Sequence, residues 1–179
     1  MQTEIIVAGF GGQGVLFTGQ LLAYAGMDEG KNVTWIPSYG PEMRGGTANC
    51  TMIVSDEEIG SPLVLNPTAV MVMNRPSLDR YEDLVIPGGF LIVNSTIVDR
   101  PVRRKDIKVV EVNANAIAEK LGDKKMSNMV MLGALLSNLP VISLEAIERA
   151  LKDHLPERHH RLLPMNYQAL REGAKHLAK

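Results

Sequence analysis

The sequence has a single cysteine, Cys50, among its 179 residues. One thiol excludes an internal disulfide, and it excludes a multi-cysteine metal or iron–sulfur site built by this chain alone. Such sparse use of cysteine is typical of proteins from a reducing compartment. We therefore expect a cytoplasmic protein whose one thiol is a buried, inert core residue.

Long apolar runs and an excess of one charge are also missing. The longest apolar stretch, residues 126–139, is interrupted by serine and asparagine and falls short of the roughly 20 residues that a membrane span needs. No basic segment with an apolar core and a cleavage site follows Met1. The net charge is −1, so no strong field attracts nucleic acid or an anionic membrane. We expect neither as a partner.

Strand-like and helix-like segments alternate along the chain, without repeats or linkers. This pattern predicts one α/β domain over residues 1–179, with three layers and a mostly parallel sheet. Helices are expected after the first glycines, at residues 75–83, 126–138 and 158–173, and after a Ser143 cap. The strand candidates are residues 4–9, 32–37, 47–55, 69–73, 89–93 and 107–112.

A glycine-rich loop follows the first strand in EIIVAGFGGQGVLFTGQLLAYAG, residues 4–26. Gly9, Gly11 and Gly14 fit the pattern G-x-G-x-x-G between a strand and a helix. Glycines permit a tight turn there, and the helix N-terminus offers N–H groups and a partial positive charge to a phosphate. The alternative is a loop that only packs tightly at the turn and binds no ligand.

Binding of NAD needs a second element that this sequence lacks. An acidic residue should end the second strand and accept the ribose hydroxyls. The segment 36–39 reads Ile-Pro-Ser-Tyr, and Asp28 and Glu29 precede the strand. No arginine stands there for an NADP phosphate. The loop therefore favours a phosphate ligand other than NAD or NADP.

A second irregular glycine loop, SYGPEMRGG, occupies residues 38–46. In a parallel sheet both loops would leave the carboxyl ends of neighbouring strands, where α/β folds bind ligands. The Arg44 guanidinium, together with the N–H groups of residues 11–14, would form a small anion site. Alternatively, Arg44 pairs with Glu42, with Asp56 or with a partner subunit.

Three motifs in this order resemble the gamma subunit of the 2-oxoacid:ferredoxin oxidoreductases, which act on 2-oxoglutarate, pyruvate or ketoisovalerate. They are GFGGQGV at 9–15, SYGPEMRGG at 38–46 and TANCTMIVSDEEIGSP at 47–62. Weaker echoes occur in NMVMLGALL at 128–136 and NYQALREG at 166–173. The resemblance thus extends over nearly the whole chain.

The resemblance implies a subunit that is inactive alone and supplies no catalytic or metal-binding residue. Its complex would decarboxylate a 2-oxoacid oxidatively with coenzyme A, giving acyl-coenzyme A, CO2 and reduced ferredoxin. Thiamine diphosphate, magnesium and iron–sulfur clusters would sit on alpha and beta, and possibly delta, subunits. The sequence agrees, since Gly122-Asp123 is followed by two lysines and not by a thiamine diphosphate motif. The isolated chain could also form a homodimer.

The resemblance further implies that this chain helps to bind coenzyme A and closes over the active site. The residues expected at coenzyme A are Gly9, Gly11, Gly12, Gln13, Gly14, Tyr39, Arg44, Gly45 and Gly46. Tyr39 either stacks on a ligand or packs against Pro41. We favour 2-oxoglutarate as the substrate. The alternatives are a subunit of an indolepyruvate enzyme and a stand-alone phosphate- or nucleotide-binding module.

Three further groups of residues have a structural interpretation. Met126, Met129 and Met131 are expected in the core. His159 and His160 lack partners at metal-ligand spacing, so we expect a solvated helix start or a subunit contact. A cluster of basic residues is expected on an exposed turn: Arg100, Arg103, Arg104 and Lys105.

Overall fold

Strands and helices alternate in a computed structural model that describes residues 1–41 and 44–178. The strands are β1 (Gln2–Phe10), β2 (Asn32–Tyr39), β3 (Thr47–Ser55), β4 (Ala69–Val72), β5 (Phe90–Asn94) and β6 (Lys108–Val112). The helices are α1 (Val15–Asp28), α2 (Arg75–Tyr81), α3 (Ala114–Lys120), α4 (Ser127–Asn138), α5 (Leu144–His154) and α6 (Leu163–Gly173). None of the helices in these ranges has the length and apolar composition needed to cross a bilayer.

The strands form one sheet in the order β2-β3-β1-β4-β5-β6. β1, β4, β5 and β6 are parallel, and β3 is antiparallel to both of its neighbours, β1 and β2. The predicted three-layer α/β fold with a mostly parallel sheet is confirmed. The prediction that the two glycine loops leave neighbouring strands is wrong, because β3 inserts between β1 and β2.

Helices cover the two faces of the sheet unequally. One face carries the larger core, in which residues such as Ile5 and Met71 pack beneath α1, α4 and α5. On the other face Leu78 and Tyr81 of α2 pack with Ile6 and with neighbouring strand residues. α1 and α2 therefore lie on opposite faces. β1 and β4 are neighbours in the sheet, and the helices that follow them lie on opposite faces. Open α/β sheets commonly bind ligands at such a point.

Helices α4 and α6 pack backbone to backbone. An added β-carbon at Gly133 would overlap the carbonyl of Leu170, and one at Gly173 would overlap the carbonyl of Val130. The two weaker echoes in the sequence, residues 128–136 and 166–173, are the helices that make this contact. Met126, Met129 and Met131 are buried, which confirms their predicted place in the core.

Two predicted helix starts have different outcomes. Ser143 caps α5 as expected, since its Oγ accepts a hydrogen bond of 3.1 Å from the N–H of Ala146. The last α-helix begins at Leu163 instead of residue 158, because residues 157–162 form a tighter 3-10 turn. Pro164 fits within the first turn of α6, where its missing N–H has no helical acceptor to lose.

The basic segment after β5 is less exposed than predicted. The side chains of Arg100 and Arg104 are only 13% and 18% exposed. Arg100 makes an ion pair of 2.8 Å with Glu82, and Arg104 donates to the carbonyl of Val85. The expectation of an exposed turn is wrong for these two arginines, since they tie residues 100–104 to the end of α2.

Strand β2 forms one edge of the sheet and contains Pro37, which lies opposite Cys50 in the pairing with β3. Proline has no N–H group and is therefore confined in sheets to edge strands, strand starts or bulges. Pro37 is tolerated because β2 has a neighbour on one side only.

Candidate functional site

The first glycine loop turns sharply between β1 and α1. Gly12 and Gly14 have φ values of 99° and 77°, a left-handed backbone that L side chains rarely adopt. The N–H of Gln13 donates to the carbonyl of Phe10 at 3.1 Å and closes the turn. α1 starts directly after Gly14, so its first turn faces the same space as the loop.

The second glycine loop contacts the first through the backbone. Gly11 donates its N–H to the carbonyl of Gly46 at 2.8 Å, and Gly45 donates to the carbonyl of Gly11 at 3.2 Å. β3 makes this possible, because Thr47 pairs with Phe10 and places the end of the loop beside the start of the other. The two loops predicted to cooperate therefore meet, although their strands are not neighbours.

A groove of about 330 Å³ lies between the two loops and the start of α1. Of the predicted site residues it contains Gly11, Gly12, Gly14 and Tyr39, and the Tyr39 side chain is 56% exposed. This exposure leaves the Tyr39 ring available to a ligand. The remaining lining is apolar and was not predicted: Phe10, Val15, Leu16, Phe17 and Ala48.

The start of α1 supplies the polar groups of this groove. The first N–H groups of an α-helix have no acceptor within the helix and carry a partial positive charge. Within the loop, the N–H groups of Gly11 and Gln13 are already bonded to the carbonyls of Gly46 and Phe10. Of the four loop residues expected to offer N–H groups to an anion, Gly11 and Gln13 therefore have theirs engaged within the protein.

Gly9 and Gln13 do not line the groove. Gly9 is buried, and a β-carbon there would lie 2.6 Å from Gln13 Oε1 and 2.8 Å from the β-carbon of Met73. The Gln13 side chain turns inward and bonds to the chain itself. The structure places both residues behind the groove, where they support its wall.

Arg44 is exposed on the second loop, next to Gly45, whose N–H donates to the carbonyl of Gly11. Arg44, Gly45 and Gly46 are not among the residues that line the groove. Of its alternative partners, Glu42 lies outside the described residues. Asp56 is bonded to the amino group of Met1 at 3.0 Å and to Lys31 at 2.7 Å. Asp56 is thus engaged at the opposite end of β3 from Arg44.

A larger cavity of about 850 Å³ lies beside β6 and the C-terminal tail. Two of its cationic side chains are already paired: Arg104 with Asp106, and Lys175 with Glu172. It contains none of the predicted site residues. We therefore regard the smaller groove at the glycine loops as the candidate site.

Neither Cys50 nor a histidine is among the described residues that line the groove. Burial raises the pKa of the Cys50 thiol to about 11, against weaker opposing hydrogen bonds from Trp35, Gly19 and Val7. In the part of the chain that the structure describes, no three His, Cys, Asp or Glu side chains are placed to hold a metal ion.

The sheet and its helices define a class of protein: a three-layer α/β domain with a glycine loop at the carboxyl end of β1. The family is more specific. Residues 4–176 match the model of the pyruvate ferredoxin/flavodoxin oxidoreductase family, and the chain belongs to that family.

Two relatives differ in length. The chain is 37% identical over 179 residues to the 2-oxoglutarate synthase subunit KorC of Methanothermobacter marburgensis, and the match covers 96% of each chain. It is 37% identical over 175 residues to the ketoisovalerate oxidoreductase subunit VorA of Methanothermobacter thermautotrophicus, covering 97% of this chain. The match spans only 36% of that longer subunit.

Two solved structures share the fold. The keto/oxoacid ferredoxin oxidoreductase gamma subunit of Geobacter sulfurreducens superposes with a TM-score of 0.82 at 29% identity, covering 97% of this chain and 96% of that one. The 2-oxoglutarate:ferredoxin oxidoreductase of Magnetococcus marinus, solved with 2-oxoglutarate, coenzyme A and succinyl-CoA, gives 0.87 at 22% identity. That match covers 97% of this chain and 30% of the other. The predicted resemblance to gamma subunits is confirmed.

Proposed function

We propose that this chain, acting as one domain over residues 1–179, is the gamma subunit of a 2-oxoacid:ferredoxin oxidoreductase and helps to bind coenzyme A. The observation that carries the proposal is the groove in which Gly12, Gly14 and Tyr39 meet the start of α1. The match to KorC over 96% of both chains supports this assignment.

Coenzyme A has the chemistry that this groove can accept. Its phosphates suit the N–H groups of Gly12, Gly14 and the first turn of α1. Its pantetheine arm suits the apolar wall formed by Leu16 and Phe17. The exposed Arg44 on the second loop would add a forked donor for a phosphate. This division leaves the polar groups of the ligand at the loops and its less polar arm along α1.

The remaining chemistry belongs to partner subunits in this proposal. They hold thiamine diphosphate, magnesium and iron–sulfur clusters, and the complex decarboxylates 2-oxoglutarate and passes electrons to ferredoxin. The role of this chain is to position coenzyme A and close the site, which lowers the barrier by orienting the reactants. Coenzyme A and 2-oxoglutarate in the Magnetococcus marinus structure are consistent with this proposal.

The test isolates the tagged chain from its native organism and assays coenzyme A-dependent reduction of ferredoxin. 2-Oxoglutarate, pyruvate, 2-oxoisovalerate and indolepyruvate are compared as substrates. We expect co-purified subunits, activity on 2-oxoglutarate and none with the separated chain. Preference for another of these acids would change the substrate, whereas recovery of the chain alone would overturn the subunit role.

A variant pair tests the groove itself within the complex. Gly12→Ala introduces a side chain at a left-handed position beside the groove, and Gly88→Ala does so at a matched position far from it, with φ of 76°. An added β-carbon has open space at both sites, so backbone strain is comparable. We expect only Gly12→Ala to raise the KM for coenzyme A. Equal values for both variants would contradict the proposed site.

A further inference from the structure

We infer that Gln13 is a positioning residue that fixes the glycine loop to β4 and to the cap of α2, and that it does not itself contact the ligand. The inference rests on the proposed function, because the groove it supports is the one proposed for coenzyme A. Three hydrogen bonds of one side-chain amide, together with the place where they form, carry it.

The first two bonds connect the ends of β1 and β4, which are neighbours in the sheet. Gln13 Oε1 accepts from the N–H of Phe10 at 2.7 Å, at the end of β1. Gln13 Nε2 donates to the carbonyl of Met73 at 3.3 Å, directly after β4. A backbone N–H can only donate, so the bond from Phe10 fixes which end of the amide is the oxygen. The orientation of Gln13 is thereby determined.

The third bond connects Gln13 to Asn74. Asn74 Oδ1 caps α2 by accepting from the N–H of Ser77 at 2.9 Å. Its Nδ2 is thereby turned toward Gln13 and donates to Oε1 at 3.3 Å. Each amide oxygen is fixed by a backbone N–H, and Gln13 Oε1 accepts a second hydrogen bond, from Asn74 Nδ2. If either amide rotated, the oxygen and nitrogen atoms of both amides would have to change hydrogen-bond partners together.

The amide pair lies between the ends of β1 and β4, the two neighbouring strands whose following helices lie on opposite faces of the sheet. Open α/β sheets commonly bind ligands at such a point. Here the cavity beside Gly9, Phe10 and Asn74 has a volume of about 30 Å³, roughly a tenth of the ~300 Å³ of a small ligand pocket. Gly9 has no β-carbon, which lets the Gln13 amide enter. A ligand is thereby directed to the groove on the other side of Phe10.

The consequence for binding follows from where Gln13 stands in the chain. Gly12 and Gly14 flank it, and both line the groove. Gln13 also closes the turn through its own N–H to Phe10. With its backbone and side chain both tied, the N–H groups of its two neighbours are held toward the ligand. Loss of the side-chain bonds should weaken coenzyme A binding and leave the reaction rate of the fully loaded complex unchanged.

The test compares Gln13→Met with Gln20→Met in the complex with its native partner subunits. Methionine keeps a similar length but makes none of the amide bonds. Gln20 is a matched control, because it is half-buried on α1 and makes one side-chain bond, of 3.1 Å, to Tyr24. We expect Gln13→Met to raise the KM for coenzyme A about tenfold at unchanged kcat, and Gln20→Met to leave both unchanged.

A second variant, Asn74→Asp, guards against misfolding of the first. Aspartate still caps α2, since it accepts from Ser77 as asparagine does. It presents a negatively charged oxygen to Gln13 Oε1 in place of a donor, so at this buried position the link between the two side chains is replaced by repulsion. We expect a rise in the KM for coenzyme A in the same direction, again without a change in kcat.

Amide hydrogen exchange of the chain without coenzyme A separates this inference from the proposed function. Both variants should accelerate exchange in residues 10–16 and 74–78 relative to Gln20→Met. Unchanged exchange would overturn the positioning role even if Gly12→Ala raises the KM for coenzyme A. Faster exchange with no effect of Gly12→Ala, Gln13→Met or Asn74→Asp on that KM would overturn the proposed site, and the role of Gln13 toward it.

Discussion

Gly173 of α6 lies directly against the carbonyl of Val130 in α4, with no space for a β-carbon between them. Gly133 of α4 makes the reciprocal contact with the carbonyl of Leu170. We expect Gly173→Ala to lower the free energy of unfolding by about 3 kcal/mol, because the two helices must move apart to admit one methyl group. Chemical denaturation of the purified chain measures this loss.

Gly60→Ala is the control for the helix contact. An added β-carbon at exposed Gly60 has open space, so the change should stay within about 0.5 kcal/mol. If Gly173→Ala is as mild as Gly60→Ala, the close approach of α4 and α6 is wrong.

Arg44→Ala in the complex should raise the KM for coenzyme A about tenfold and leave the KM for the 2-oxoacid nearly unchanged. The reason is the place of Arg44 on the exposed second loop, next to Gly45, which is bonded to Gly11 of the first loop. Steady-state kinetics with each substrate varied in turn measures both constants. Arg103→Ala, at an arginine 73% exposed beside α2, is the control and should change neither. Equal effects of Arg44→Ala on both substrates would contradict its proposed role.

Glu82→Gln should destabilise the chain by about 3 kcal/mol at pH 7, because it removes the buried negative charge that pairs with Arg100. Burial alone would raise the pKa of Glu82. The hydrogen bonds from the N–H groups of Arg103 and Arg104 and from Arg100 outweigh it and hold that pKa below its ordinary 4.5. The exposed pair of Glu119 and Lys124 supplies a control, since Glu119→Gln should cost less than about 1 kcal/mol.

The same carboxylate predicts a pH dependence. With its pKa lowered by folding, the unfolded chain binds more protons as the pH falls through 4.5. The stability supplied by Glu82 is complete above that pH and is lost below it. The difference between wild type and Glu82→Gln in denaturation experiments should therefore narrow as the pH drops below 4.5. A constant difference would contradict the lowered pKa.

The Cys50 thiol should resist alkylation in the folded chain. Burial raises its pKa from the ordinary 9.0 to about 11, so at pH 8 its thiolate fraction falls about 100-fold relative to an unfolded chain. Mass spectrometry after iodoacetamide treatment, with and without denaturant, measures the rates, and Cys50→Ser gives the background. Because folding raises this pKa, the stability that Cys50 supplies is complete below pH 9 and is lost between pH 9 and 11. Rapid alkylation of the native chain would contradict the burial.

The first glycine loop and the strand before it could be predicted from the sequence, because each has its own local signal. β1 is a continuous apolar run, and Gly12 and Gly14 mark a turn that only glycine adopts easily. The direction of β3 could not be predicted in the same way. Its alternation identifies the residues that face the core, such as Cys50 and Met52, but alternation is the same for parallel and antiparallel strands.

The roles of particular site residues were harder to predict. A polar side chain in a glycine loop can face a ligand or the chain, and only its bonds to Phe10, Met73 and Asn74 in the structure show that Gln13 turns inward. Leu16 and Phe17 have the apolar character of core residues, so their place on the groove was not visible. The one feature of the sequence that could have indicated it is their position just after the glycine loop, in the first turn of α1.

Pro37 also limits how this chain can be joined to others. An edge strand with free N–H and carbonyl groups invites strand addition by a second chain, which leads to sheet extension or aggregation. Pro37 offers no N–H within β2, so an incoming strand cannot pair along its full length. Assembly at this end of the sheet is thereby left to side chains and loops, and edge-to-edge polymerisation of copies is discouraged.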